Sequence, residues 1–152
     1  MQLAHYLGLL HRAELNLAAA LREVADAHAD EADIPPTCAK LAADCDEHAA
    51  RLEPFASSYG EDQPDEPDRL HSELFQGPRS GGLALLRDLQ DLYLMACECD
   101  LAWTVIAQAA QGARDQDLLA VAEDCEPQTA TVLAWLQTRI KQAAPQALVV
   151  AR

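Results

Sequence analysis

The sequence predicts an all-α protein, a four-helix bundle made of two similar helical hairpins joined by one long crossover. Three observations lead there. Half of the 152 residues are hydrophobic but only 5% are aromatic, and alanine is abundant, which favours close-packed helices over sheet. Apolar residues recur every three or four positions along four long stretches, the spacing of one helix face. Segments of the second half also repeat segments of the first. This length suits a single domain, with hairpin 1 over about 2–60, the crossover over 61–82, hairpin 2 over about 83–144 and a tail over 145–152.

The first helix is marked by Leu3, Leu7, Leu10, Leu17, Leu21 and Val24. Pro35 and Pro36 are expected to end it, and Thr37 to cap the next. The second stripe runs through Cys38, Leu41, Cys45, Leu52, Phe55 and Tyr59 and closes at Gly60. The crossover, EDQPDEPDRLHSELFQGPRSGG, breaks the periodicity. Its acidic run Asp62 to Asp68 reads as a solvated loop, DRLHSELF as a short helical turn and GPRSGG as a flexible connection. The third helix is expected from Leu83 to Gln111, with Leu94, Leu101 and Val105 facing inward. The fourth covers Arg114 to Ala144, with Leu118, Val121, Val132 and Trp135 inward and a kink or bulge at Pro127. The apolar tail PQALVVAR is expected to pack on the bundle or on a neighbouring subunit.

The repeat has two parts. AELNLA, starting at Ala13, aligns with CECDLA, starting at Cys97, at an offset of 84. LAADCDEHAARL, starting at Leu41, aligns with VAEDCEPQTATV, starting at Val121, at an offset of 80. Together and in order they describe a duplicated hairpin.

Composition also excludes partners. A formal net charge of −14 repels nucleic-acid phosphates and anionic membrane surfaces. No stretch approaches the roughly 20 apolar residues of a membrane span. The first residues show no basic region or cleavage signature, so no signal peptide is expected. Five cysteines, an odd number without a small-scaffold spacing, fit reduced thiols in a cytoplasm.

Extending each stripe by its own period lands on polar residues. These are Glu14 on the first helix, Cys45 and His48 on the second, Glu98 on the third, and Cys125 and Gln128 on the fourth. All six are expected to meet in one core layer. A carboxylate taken out of water costs several kcal/mol unless compensated, so Glu14 and Glu98 must share a proton, find a cation or hold a metal. His48 is the one cationic candidate on these stripes. Asp91 falls one layer away on the third helix. His5, His11 and His28 read as solvated or capping residues, and Trp103 and Trp135 as core packing.

This pattern resembles the ferritin-like superfamily, which includes rubrerythrins and bacterioferritins. In that family each hairpin supplies a glutamate from its first helix and a Glu-x-x-His pair from its second, together holding two metal ions. Glu14 and Glu98 match the single glutamates, and His48 matches the histidine of the first pair. Cys45 stands where the bridging glutamate belongs, and Cys125 and Gln128 stand in place of the second pair. These departures remove most of the hard oxygen ligands that suit di-iron. Three readings stay open: one divalent metal, zinc or iron, held by Glu14, His48 and Glu98 with Cys45 or Cys125; a metal-free network with His48 protonated between the two glutamates; and a redox pair of Cys45 and Cys125. The expected function is a cytoplasmic ferritin-like binding or structural module without a standard di-iron site. The contrasting expectation is a metal-dependent oxidoreductase or peroxide-handling enzyme with a Cys/His/Glu centre. The tail residues Leu148 to Val150 offer surface for a homodimer.

Overall fold

Pro35 and Pro36 lie in the first turn of a helix instead of following the end of one. The computed structural model describes residues 2–60 and 75–150. Helix α1 spans Leu3–Ala27 and α2 spans Ile34–Gly60. A helix's first turn has backbone N–H groups with no intrahelical acceptor, so prolines are tolerated there. Helix α3 spans Ala84–Ala113 and α4 spans Gln116–Pro145, followed by one π-helical turn, Gln146–Val150. Between α3 and α4 the chain reverses through Arg114 at φ 57°. Asp115 then caps α4, its carboxylate accepting from the Leu118 N–H at 3.0 Å. Helix α4 runs unbroken through Pro127. The carbonyl deprived of its partner there belongs to Glu123, which is exposed and so open to water. The acidic run Asp62–Asp68 and nearly all of the DRLHSELF segment lie outside the described residues.

Helices α1 and α2 pack as one hairpin and α3 and α4 as the other; α1 lies against α3, while α2 and α4 touch lightly. Neighbours run antiparallel. His28, just past α1, meets Asp88 near the start of α3, and Tyr59 at the end of α2 meets Asp115 at the start of α4. Consequently α2 ends and α3 begins at opposite ends of the bundle. Among the described residues no helix is long and apolar enough to cross a membrane.

Burial follows the expected stripes on α1, α2 and α4. The second repeat match holds at its apolar positions: Leu41 with Val121, Cys45 with Cys125 and Leu52 with Val132 are all buried, whereas His48 is buried and its counterpart Gln128 exposed. Trp135 is only partly buried, at the edge of the core. Helix α3 departs from expectation. Leu94, Leu101 and Val105 are 51%, 64% and 39% exposed, and the core is filled instead by Leu92, Ala96, Cys99, Trp103 and Ile106. This helix is apolar on two faces, so periodicity alone does not say which is inward. A one-residue slip turns a helix by roughly 100°. Displacing the first repeat match by one residue restores agreement, pairing Glu14 with Cys99, Leu10 with Met95 and Leu21 with Ile106, all buried.

Candidate functional site

Glu14, on α1, is 1% exposed. Its Oε1 accepts from the Trp103 Nε1–H at 2.8 Å and lies 3.4 Å from His48 Nδ1. The Cys45 thiol is also bonded to this carboxylate. On its other side His48 places Nε2 2.8 Å from Gln128 Oε1. Both ring nitrogens therefore face acceptor oxygens. A neutral imidazole has one N–H and can satisfy one of them, whereas the imidazolium satisfies both. Burial opposes that charge, but the hydrogen bond to Glu14, its negative charge, the bond to Gln128 and the charge of Asp44 outweigh it and raise the His48 pKa. The Trp103 ring meets the His48 ring edge-on, 5.9 Å between centroids and 86° between planes, so the indole both walls the ion pair and donates to it.

Thiols complete the layer. Burial first, then the Glu14 charge and hydrogen bond, push the Cys45 thiol far up. Cys99, fully buried, is raised by burial and by Glu14 and Cys45. Burial lifts Cys125 to about 12, with Arg51 pulling against it and Glu14 adding to it. All three stay protonated at neutral pH. A protonated thiol is a poor nucleophile, which weighs against Cys45 and Cys125 as a redox pair. All five cysteines are free.

Of the six predicted residues, Glu14, Cys45, His48 and Cys125 are buried here, and Gln128 reaches in from an exposed backbone position. Glu98 does not join them. It is partly exposed on α3 and near Tyr6 of α1, whose phenol is raised by burial and then by the Glu98 charge. The expected His48 between two glutamates is instead a His48 between Glu14 and Gln128. Cys99 takes the place assigned to Glu98, for the one-residue reason given above. Trp103 was expected only to pack; its indole N–H serves the buried carboxylate. The ferritin-like two-metal donor set does not fit these residues. Among the described residues no group of three or more His, Cys, Asp or Glu side chains is arranged to hold a metal ion, and both His48 nitrogens are engaged.

A second polar cluster closes one end of the bundle. Asp88, on α3, is 0% exposed. It lies 2.8 Å from His28 Nε2, accepts from the Arg79 backbone N–H at 3.2 Å on each oxygen, and accepts from Arg79 Nη1 at 3.0 Å. Arg79 Nη2 sits 2.8 Å from Asp91 Oδ2, an ion pair without the alignment of a hydrogen bond. His28, expected to be solvated or capping, is a buried partner as well as the residue that closes α1. The expected flexible GPRSGG connection is instead anchored by Arg79. Gly77 and Gly81 permit this, with φ of 106° and 92°, in the region where side chains are strained.

No family model, curated protein or solved structure matches the chain.

Proposed function

We propose that the chain is a ferritin-like helical bundle that serves as a cytoplasmic binding or structural module, with an ion pair where ferritin-like proteins hold metal. Two packed hairpins whose inner helix ends lie at opposite ends of the bundle agree with that ancestry, as do a glutamate on α1 and a histidine on α2. The observation that carries the reading is the mutual saturation of Glu14, His48, Trp103 and Gln128. Glu14 Oε1 and both His48 ring nitrogens, atoms that a metal or substrate would need, already have protein partners. The raised thiols of this layer do not supply the thiolate that a cysteine nucleophile requires. Five free cysteines accord with a reducing compartment.

Elemental analysis tests this directly. Protein purified without added metal, and again after anaerobic addition of iron or zinc, is expected to hold far less than one equivalent. Near-stoichiometric metal that disappears in Glu14→Ala would sink the reading in favour of a metal-dependent enzyme.

The ion pair also predicts a pH dependence. His48 is raised above its ordinary value of 6.5, so the folded state holds its proton more tightly than the unfolded chain does. The stability it contributes is fully present below about 6.5 and is lost as pH rises through the elevated value. The groups around it are Glu14 from α1, Asp44 from α2, neutral Gln128 from α4 and Trp103 from α3. Urea midpoints measured from mildly acidic to alkaline pH are expected to fall across this window in the wild type. The fall should be absent in His48→Gln; the same slope in both proteins would count against an imidazolium.

A further inference from the structure

Between α3 and α4 lies a cavity of about 480 Å³, within the roughly 300–1,000 Å³ of small-molecule sites. It shares no residue with the Glu14 layer and does not depend on that layer being free of metal. Arg87, Gln90, Asp91 and Leu94 line it from α3, at spacings of three and four that keep them on one helix face. Gln137 and Ile140 line it from α4. Two of these residues carry opposite charges that the fold does not join. Asp91 is 8% exposed, and its Oδ2 is buried without a hydrogen bond. It is ion-paired to Arg79, whose single charge also serves Asp88, and the His28 ring goes to Asp88. Arg87 stands one turn before Asp91, a spacing at which such side chains ordinarily pair. Asp91 is instead held by Arg79, and among the described residues no ion pair or side-chain hydrogen bond engages Arg87.

We propose that this cavity binds a free α-amino acid with a large apolar side chain, its ammonium on Asp91 and its carboxylate on Arg87. An ammonium supplies the aligned donor that Asp91 lacks, and hydrogen bonds between charged groups are the strong ones. The Arg87 guanidinium offers a planar fork that takes a carboxylate on two N–H groups. Both ligand groups sit on one carbon, which fits between protein groups one helical turn, roughly 5–6 Å, apart. A ligand of single charge fits worse. A plain amine meets Arg87 as a like charge, and a plain carboxylate meets Asp91 in the same way. The apolar body of the ligand rests on Tyr93, Leu94 and Ile140, bordered by the Gln90 and Gln137 amides. Tyr93 and Ile140 pack against the core and Leu94 is 51% exposed. The ligand thus extends the core over apolar surface that the chain leaves open.

Titration calorimetry on the full chain tests this with L-phenylalanine and L-leucine, and with two analogues of phenylalanine. Phenethylamine lacks the carboxylate and 3-phenylpropanoate lacks the ammonium. At least one of the amino acids is expected to bind saturably, in the millimolar range or tighter, and each analogue at least tenfold more weakly than phenylalanine. Arg87→Gln changes an exposed side chain and is expected to leave the circular-dichroism melt unchanged. In that variant the preference should reverse, with phenethylamine binding at least as well as phenylalanine. Asp91→Asn should reverse it the other way, in favour of 3-phenylpropanoate; its melt is expected to fall, because Asp91 also holds Arg79, so the Arg87 variant is the deciding one. Saturable binding of neither amino acid overturns the proposal. An analogue that binds the wild type as tightly as phenylalanine overturns it too, since one charge would then suffice. An Arg87→Gln protein that still prefers phenylalanine places the binding elsewhere and has the same consequence.

Discussion

Replacing His48 with leucine is expected to lower the unfolding free energy by about 3–5 kcal/mol, the cost of stranding a buried charge by removing its partner. The effect comes from Glu14 rather than from the lost imidazole. Leucine is similar in size, so the cavity contribution is small. What remains is a carboxylate 1% exposed, with the Trp103 N–H and the Cys45 thiol as its donors and, among the described residues, no cation beside it. Two neutral donors do not replace the hydration and charge lost on burial. The carboxylate must then be protonated at a cost that grows with pH, or draw water into the core. Gln128 also loses the donor that its Oε1 accepts from, but it lies on the exposed side of α4 and can turn to solvent. Adding Glu14→Gln to the leucine variant is therefore expected to recover most of the loss, since a neutral amide keeps an acceptor for Trp103 without the charge. Urea unfolding of the wild type, the two single variants and the double variant measures this cycle. A leucine variant as stable as the wild type would show that Glu14 does not depend on His48.

The residues that could be read correctly from sequence are those on helices with one apolar face. On α1, α2 and α4 the stripe points inward because no other face could, and Glu14, Cys45, His48 and Cys125 followed from it. On α3 the pattern gives two solutions one residue apart, since Leu94, Leu101 and Val105 are spaced as well as Met95, Ala102 and Ile106. Choosing between them needs the partner helix. Matching the repeat by burial supplies it, since only the shifted alignment pairs Leu21 with Ile106. Trp103 shows a different limit: its burial was legible, but the direction of its N–H depends on the rotation of α3. Apart from Asp91, the end cluster was invisible for a third reason. Asp88 sits in the second turn of α3, where an acidic residue ordinarily reads as solvated and favourable to the helix dipole. Its main partner, Arg79, is nine residues earlier in a glycine-rich turn, and its other partner, His28, is sixty residues away. No periodicity relates them. Gly77 and Gly81 were the available signal, because two glycines at left-handed positions allow a turn held to one shape as readily as a loose one.

That turn provides the second large effect. Asp88→Ala is expected to cost about 3 kcal/mol, with a smaller loss for Arg79→Ala. Asp88 is an acceptor at 0% exposed for three separate groups: the His28 ring, the Arg79 backbone and the Arg79 guanidinium. Alanine leaves the first two without an acceptor where water has little access, and unsatisfied buried donors cost about 1–3 kcal/mol each. It also detaches the end of α1 from the start of α3 and frees the turn that precedes α3. In Arg79→Ala, by contrast, Asp88 keeps His28 and the backbone N–H. The removed guanidinium was 37% exposed, so water can take over part of its role. The order of the two losses is the informative quantity. If the cluster were an ordinary surface ion pair, both variants would fall within about 0.5 kcal/mol of the wild type. If its strength lay in the guanidinium, Arg79→Ala would be the worse of the two. A larger loss for Asp88→Ala, with faster amide exchange at Arg79 in that variant, is the result expected of a carboxylate that fastens one end of the bundle.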